Sequence, residues 1–473
     1  MLSCADTDRT VSSEIVRILS STTKDELAKC IRRFNLPRVT VDNDACSNAT
    51  VIRVNSNKNH GILLEVVQVI TDLNLIVKKA YIASDGGWFM DVFNVTDQHG
   101  NKIEDEVVLD YIRNVLVSES SIPVSTESTG LNPSTEHTTI ELLGSDRPGL
   151  ISDVSAVLTD LGCNIVNGEV WTHNTRAASL IQITDADTGS AISDPIRLSN
   201  LKELLNNLLN CNDESRNAKT MVCHEVRHPT RWLHQMMLND RDYDCSDHDK
   251  LSDQDEEKRL PTVEIDKWRD NDYSVVIIRS KDRPKLLFDT VCTLIDMGYV
   301  VFHGNVDAEG PEAYQEYYIR HRDGQPLKTD GERERLMKCL RAAIRRGVSE
   351  GLRLELCTAD RVGLLSDVTR ILREYGLTLT RAEVTTDGGK VANTFYVRNA
   401  LGCPVDSRTI DSIRESIGKS ELKVKGSPED EIRPVAQESP TRFLSNCLLK
   451  SQSFSYFSLL RSYFLLGIGI SRT

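Results

Sequence analysis

The sequence predicts an α+β protein made of four tandem ferredoxin-like βαββαβ units, paired side by side so that their antiparallel sheets extend one another. Three observations carry this: a four-fold internal repeat, a helical apolar period inside each copy, and strand-like runs with glycine turns around it. The copies read KNHGILLEVVQVITDLNL from Lys58, SDRPGLISDVSAVLTDLGCN from Ser145, KDRPKLLFDTVCTLIDMGYV from Lys281 and ADRVGLLSDVTRILREYGLT from Ala359. With Gly61, Gly149, Lys285 and Gly363 equated, an acid recurs at Glu65, Asp153, Asp289 and Asp367, and the register holds without a gap to Asn74, Gly162, Gly298 and Gly376.

Each copy opens on a short alternating run suited to a strand: Thr50 to Val54, Thr139 to Leu143, Ser274 to Arg279 and Leu352 to Cys357. An amphipathic helix follows, with Leu150, Val154, Val157, Leu158 and Leu161 at helical spacing in the second copy and a terminal Gly or Asn as C-cap. Next come a second strand such as Leu379 to Thr385, a hairpin signalled by Asp85-Gly86-Gly87 and Asp387-Gly388-Gly389, and a third strand such as Asn393 to Val397. A glycine ends that strand in every copy (Gly100, Gly189, Gly324, Gly402). A second helical pattern then runs over Val107 to Val117, Leu198 to Leu209, Arg333 to Arg346 and Ile410 to Ile417, and a closing strand completes the unit.

The expected organisation is an N-terminal segment 1–37, units over 38–128, 136–226, 271–349 and 350–426, an acidic linker over 227–270 and a flexible tail over 427–473. Units this small bury a limited core, so they should associate, first with second and third with fourth. Within the linker, Asp240 to Lys258 has the composition of a solvated or disordered stretch.

Composition excludes several function classes. The 473 residues carry a formal charge of -13 with only 5% aromatics, which disfavours nucleic acid as the main partner. Twelve scattered cysteines with no C-x-x-C read as reduced thiols rather than disulfides or zinc ligands. The apolar stretch Leu459 to Ile470 is shorter than the roughly 20 residues of a membrane span. Without a secretory or transit signature the expected location is cytoplasmic, with nuclear entry open through the short basic cluster Lys29, Arg32 and Arg33. No phosphate loop, nucleophile elbow or Rossmann fingerprint occurs, so neither an enzyme nor a cofactor is expected.

The loop between the first strand and first helix is where binding chemistry fits best. A helix N-terminus offers unpaired N–H groups and partial positive charge to a carboxylate. Gly149 would admit a ligand to the N–H groups of Gly149, Leu150 and Ile151, while Asp146 accepts from its ammonium. Asp360, Gly363 and Leu364 repeat this in the fourth copy, and Asn59, Gly61 and Ile62 form a variant in the first. Lys285 puts a side chain where the ligand would approach, which marks the third loop as structural and empty. The same tetrapeptide also reads as a plain helix start, with Asp as cap and glycine relieving a tight turn. If the glycine has ordinary helical dihedrals, an aspartate should fit in its place.

Other groups carry less. His224 and His228 near Cys223 suggest a metal, but Arg227 and Arg231 would repel a cation. Asp242, Asp244, Asp247 and Asp249 lack the glycine turn and closing glutamate of a calcium loop. Ala80, Gly168, Gly304 and Ala382 are small in all four second strands, because a helix or a ligand packs closely there. Trp88, Trp171 and Trp268 read as core or interface aromatics.

At Asp146-Arg147-Pro148-Gly149-Leu150 and Asp360-Arg361-Val362-Gly363-Leu364-Leu365 the chain resembles ACT domains, small-molecule-sensing modules attached to many amino-acid-metabolism enzymes. Four copies without a catalytic domain resemble the plant ACT domain repeat family over about residues 38–443, most closely in AYIASDGGWFMDVFNV from Ala80, EVWTHNTRAA from Glu169 and DRPKLLFDTVCT from Asp282. The resemblance implies a non-catalytic regulatory protein that binds a free amino acid at this loop, facing a strand of the paired domain. Glutamine or a related nitrogen-status signal is the first candidate, with a protein partner downstream and ACT pairing as a route to a homo-oligomer. The rivals are a ligand-free protein-interaction scaffold and the regulatory part of a uridylyltransferase-like system.

Overall fold

The computed structural model describes residues 39–56, 62–85, 88–118, 137–173, 176–210, 218–223, 228–241, 261–266, 272–310, 312–346, 351–387, 389–399, 405–418 and 421–425. The first copy comprises β1 (Val39–Asp42), β2 (Thr50–Ser56), α1 (Ile62–Asp72), β3 (Ile76–Asp85), β4 (Trp88–Thr96) and α2 (Glu106–Ser118). The second has β5 (Thr138–Ser145), α3 (Leu150–Asp160), β6 (Cys163–His173), β7 (Arg176–Asp185), α4 (Pro195–Leu209) and β8 (Lys219–Cys223), followed by α5 (Pro229–Asn239). The third runs β9 (Thr262–Ile265), β10 (Ser274–Lys281), α6 (Leu286–Asp296), β11 (Tyr299–Asp307), β12 (Glu312–His321) and α7 (Asp330–Arg346). The fourth is β13 (Leu352–Ala359), α8 (Leu364–Glu374), β14 (Leu377–Asp387), β15 (Lys390–Asn399), α9 (Ser407–Ile417) and β16 (Leu422–Lys425).

Pairing alternates along the chain instead of joining neighbours. One compact unit combines Met1–Thr126 with Ser246–Gly347, hence copies one and three; the other combines Glu127–Cys245 with Val348–Thr473, hence copies two and four. The expectation of first with second and third with fourth is therefore corrected. Loop-closure entropy grows only logarithmically with length, so edge complementarity can override sequence proximity.

Each unit holds an eight-stranded antiparallel sheet, in the orders β1-β2-β4-β3-β11-β12-β10-β9 and β16-β13-β15-β14-β6-β7-β5-β8. The copies join through β3 with β11, where Gly304 lies opposite Ile82, and through β14 with β6, where Ala382 lies opposite Val170. The small residues Ala80, Gly168, Gly304 and Ala382 all sit on these joining strands. A Cβ on Gly304 would stand 3.0 Å from Tyr317 Cδ1 and 3.1 Å from Ile82 Cδ1, so strand neighbours, rather than a helix or a ligand, set the size there.

The closing strand is found in two copies. In the second and fourth, β8 and β16 follow the second helix and pair with β5 and β13. In the first and third, the same position beside the opening strand is taken by β1 and β9, which precede it, so among the described residues these copies read ββαββα. Both β9 and α5 fall inside 227–270, so that span is not simply a linker. Residues 242–260, with the four aspartates considered for calcium, lie outside the described residues, as do the tail 427–473 and the basic cluster at Lys29.

Helices pack on one face of each sheet over a core that includes the fully buried Phe93, Tyr317 and Phe395 at equivalent third-strand positions. Helix α5 covers the opposite face at the second copy, where Thr230 donates to Glu169 Oε2 at 3.1 Å. Arg176, 1% exposed, donates from Nε to Asp240 Oδ2 at 2.8 Å and from Nη2 to Asp240 Oδ1 at 3.2 Å. The described cysteines are free, with Cys46, Cys163, Cys292 and Cys339 buried. Among the described residues no helix is long and apolar enough to cross a membrane.

Candidate functional site

The loop entering the first helix has one geometry in three copies. Gly149, Gly363 and Lys285 are the N-cap residues of α3, α8 and α6, with left-handed φ of 81°, 80° and 66° and no side-chain capping bond. The turn is closed by backbone: Leu150 N–H donates to Arg147 O at 3.1 Å, Leu364 N–H to Arg361 O at 3.1 Å and Leu286 N–H to Arg283 O at 3.4 Å. The aspartate does not cap the helix, and the glycine does not have helical dihedrals. One of the N–H groups expected to meet a ligand, that of Leu150, is thus already engaged.

The recurring acid has a defined partner. Arg147 reaches Asp153 at 2.7 Å, Arg283 reaches Asp289 at 2.6 Å and Arg361 reaches Asp367 at 2.6 Å, folding the loop back on the first turn of its helix. In the third copy Arg346 of α7 adds a second guanidinium to Asp289 at 2.6 Å. An arginine six positions before an acid in three copies was the available sequence signal. The first copy carries Asn59 in that place; Asn59 and Gly61 lie outside the described residues, and Ile62 is buried at the start of α1.

In the second copy, Asp146 is partly buried, and that burial pushes its carboxyl up to about 6, against the pull of the Arg147 N–H. Leu150 packs in its own copy's core, whereas Ile151 packs with Leu364, Val368 and Leu372 in the core of the fourth. The approach to Gly149 is filled: a Cβ there would lie 2.5 Å from Arg373 Cδ, and Arg373 is held by Asp153. Gly363 is more open, its nearest neighbour for a Cβ being Thr159 Cγ2 at 3.4 Å.

Around Gly363 lies a cleft shared by copies two and four. Asp360, Gly363 and Leu364 line one side and Thr159 and Asn164 the other, with Asn393 of β15 on its wall; the atom-free space is about 340 Å³, part of it open to solvent. The structure therefore brings together the fourth copy's candidates, and not those of the second.

The third loop, expected to be empty and structural, lines a comparable cleft. Asp282, Lys285 and Gln315 meet Val67, Ile70 and Leu75 of the first copy around about 440 Å³ of atom-free space, again partly open. Gln315 and Asn393 occupy one register position of the third strand, as do Asp91 and Ser179, counted from the residue opposite Gly304, Ala382, Ala80 and Gly168. Sequence reasoning missed these four. The signal was a polar residue at an inward-facing strand position in every copy.

His228 is the N-cap of α5, its Nδ1 accepting from Arg231 N–H at 3.2 Å, and His224 lies outside the described residues. Among the described residues no group of His, Cys, Asp or Glu could hold a metal ion. Trp171, 2% exposed on a joining strand, donates to Glu169 Oε1 at 2.8 Å; Trp268 lies outside the described residues.

Comparison with known proteins gives a match to the ACR family N-terminal ACT domain over residues 45–122 and to the ACT domain over 138–209 and 352–418. An Arabidopsis thaliana protein described as ACT domain-containing protein ACR4 is 60% identical over 442 residues, covering 93% of this chain and 98% of its own length. From the same organism, ACR5 is 56% identical over 447 residues (93% and 97% covered) and ACR6 is 55% identical over 419 residues (88% and 95% covered).

Proposed function

Because the chain belongs to the ACR family of ACT-domain proteins, we propose that it is a non-catalytic regulatory protein that binds a free amino acid between paired copies and relays occupancy to a protein partner. Glutamine or a related nitrogen-status signal is the first ligand to try, and the working location is the cytoplasm with access to the nucleus.

One observation carries this reading: Asp360 and the N-terminus of α8 at Gly363 face the same cleft. An α-amino acid carries its ammonium and carboxylate on one carbon, so a site must offer both signs close together. The carboxylate side chain of Asp360 suits the ammonium, and the helix N-terminus suits the carboxylate. Since Thr159 and Asn164 of the other copy form the facing wall, a bound ligand would bridge two copies and favour whichever arrangement of the pair holds it best.

A thermal-shift screen of the full chain against the proteinogenic amino acids tests this, because a ligand of the native state raises the melting point. At least one amino acid should do so, and folded Gly363→Asp protein should lose the response through added bulk and negative charge. A response absent for all of them replaces this reading with that of a ligand-free scaffold, and a response that folded Gly363→Asp protein keeps in full moves the ligand out of this cleft.

A further inference from the structure

We propose that α5 is the output element of the unit formed by copies two and four, and that Glu169 is the positioning residue that ties its docking to the joint between them. The output role rests on the reading of the pair as a sensor; the coupling of helix to joint does not, and it is tested without a ligand.

The joint presents two faces. On β6 and β14, Val170 and Ala382 point into the helix-covered core, and Asn164, Ile165, Val384 and Thr386 of the same strands line the cleft. Side chains alternate along a strand, so Glu169, Trp171, Arg381 and Glu383 face the other way, where α5 lies. There Glu169 and Glu383 stand directly opposite each other across the joint. Arg381 serves both: its Nη2 is 2.7 Å from Glu383 Oε1, in its own copy, and 3.3 Å from Glu169 Oε1, in the other. Trp171 Nε1 donates to the same Glu169 oxygen at 2.8 Å, and Thr230 of α5 donates to Oε2 at 3.1 Å. One carboxylate thus joins copy two, copy four and the helix.

The sign of the coupling follows from burial. The Glu169 side chain is 7% exposed and that of Arg381 14%. A buried carboxylate is tolerated while a cation compensates it. When Arg381 moves toward Glu383, Glu169 is left charged beneath α5, and it regains water only where the helix lifts. When Arg381 moves toward Glu169, the docked helix is favoured. A ligand that shifts β6 against β14 from the cleft side changes these two distances, because the side chains ride on the strands that carry them. A lifted α5 bares Leu233 and Met237, each 0% exposed when docked, an apolar stripe of the kind that a protein partner's groove receives. In copies one and three, whose described elements include no counterpart of α5, the same two positions carry Tyr81 and His303, which meet as rings 5.3 Å apart. The ionic form of the joint accompanies the helix.

Amide hydrogen exchange on the full chain tests the coupling, with circular dichroism confirming folding. Arg381→Met strands Glu169 and should speed exchange in α5 at least about tenfold beyond any change in β15. Glu383→Gln releases Arg381 to Glu169 and should slow α5 exchange about two- to fivefold, a sign that mere destabilisation does not give. Exchange in α5 that is unmoved by both variants, speeded by both, or changed only in step with β15 overturns the proposal. An amino acid that raises the melting point should alter α5 exchange in the unmodified chain and leave it unaltered in Arg381→Met; equal alteration in both overturns the relay through Glu169. If no amino acid raises the melting point, the sensor reading and the output role fall, while the two variants still decide the coupling.

Discussion

Arg373 of α8 reaches across the pair of copies two and four to Asp153 of α3, with Nη1 2.6 Å from Oδ1. In doing so its Cδ comes within 2.5 Å of where a Cβ on Gly149 would stand. The loop with the most complete D-R-P-G motif is thus the one whose approach is covered from the partner copy.

Arg373→Ala should uncover that loop at small cost. The pair is 43% and 27% exposed at its two side chains, so screening holds its contribution to about 1 kcal/mol or less. Titration with glutamine should show added binding capacity in this variant while the melting point moves by only a few degrees. Unchanged stoichiometry would mean that the second loop has no site beneath Arg373.

Backbone strain makes opposite predictions at two equivalent positions. Gly149 has φ 81°, so Gly149→Asp puts a side chain into the left-handed region and should cost about 1–2 kcal/mol. The contact with Arg373 adds less, since the clashing atom belongs to a flexible side chain. Lys285 already occupies that region at φ 66°, and Lys285→Gly should stabilise by about 0.5–1 kcal/mol after the entropy of a more flexible unfolded chain is deducted. Melting curves of the two variants should shift in opposite directions.

A buried carboxyl should make stability fall as pH rises. Asp91 of β4 is 1% exposed and neither of its oxygens has a hydrogen-bond partner. Burial pushes its carboxyl up to about 7, and the nearby Ala83 N–H moderates this without meeting hydrogen-bond geometry. The folded chain therefore holds this proton where the unfolded chain, titrating near 3.9, has released it. Stability from this group is intact below about pH 4 and is lost progressively up to about pH 7, by on the order of 3–4 kcal/mol. Asp91→Asn should remove the slope and raise the melting point at pH 8. The neutral Ser179, Gln315 and Asn393 at the same register show that the fold accepts an uncharged polar residue there. Equal slopes in variant and unmodified chain would assign the effect to another group.

The ion pair under α5 should be costly to break from one side. Arg176 and Asp240 are 1% and 8% exposed at their side chains, so Asp240→Ala strands a buried guanidinium at a cost of about 3–5 kcal/mol. The expected result is a lowered melting transition with faster amide exchange in α5, β6 and β7. A shift below about 1 kcal/mol would show that Arg176 finds water or another acceptor.

Much of the candidate site was legible because its parts are close in sequence. The strand, loop and helix around Asp360 and Gly363 follow from local periodicity and turn chemistry, and these residues do line a cleft. The spacing of Arg361 and Asp367 was equally local and could have been read as an ion pair closing the loop. Asn393 and Gln315 were harder to see, because a polar residue in a strand signals nothing until the register shows that it faces inward.

The sequence by itself determined the four-fold repeat and the strand, helix, strand, strand, helix succession common to its copies, since periodicity and hydrogen bonding within one or two turns settle these. Only the tertiary structure decided that copy one pairs with three and two with four, that β1 and β9 stand where a closing strand was expected, and that Arg373 covers Gly149 while Gly363 stays open. The physical reason is common to all three. Antiparallel edge pairing and cross-copy contacts depend on which surfaces fit once the units have formed, and residues 220 apart, such as Arg373 and Asp153, leave no periodic trace of meeting.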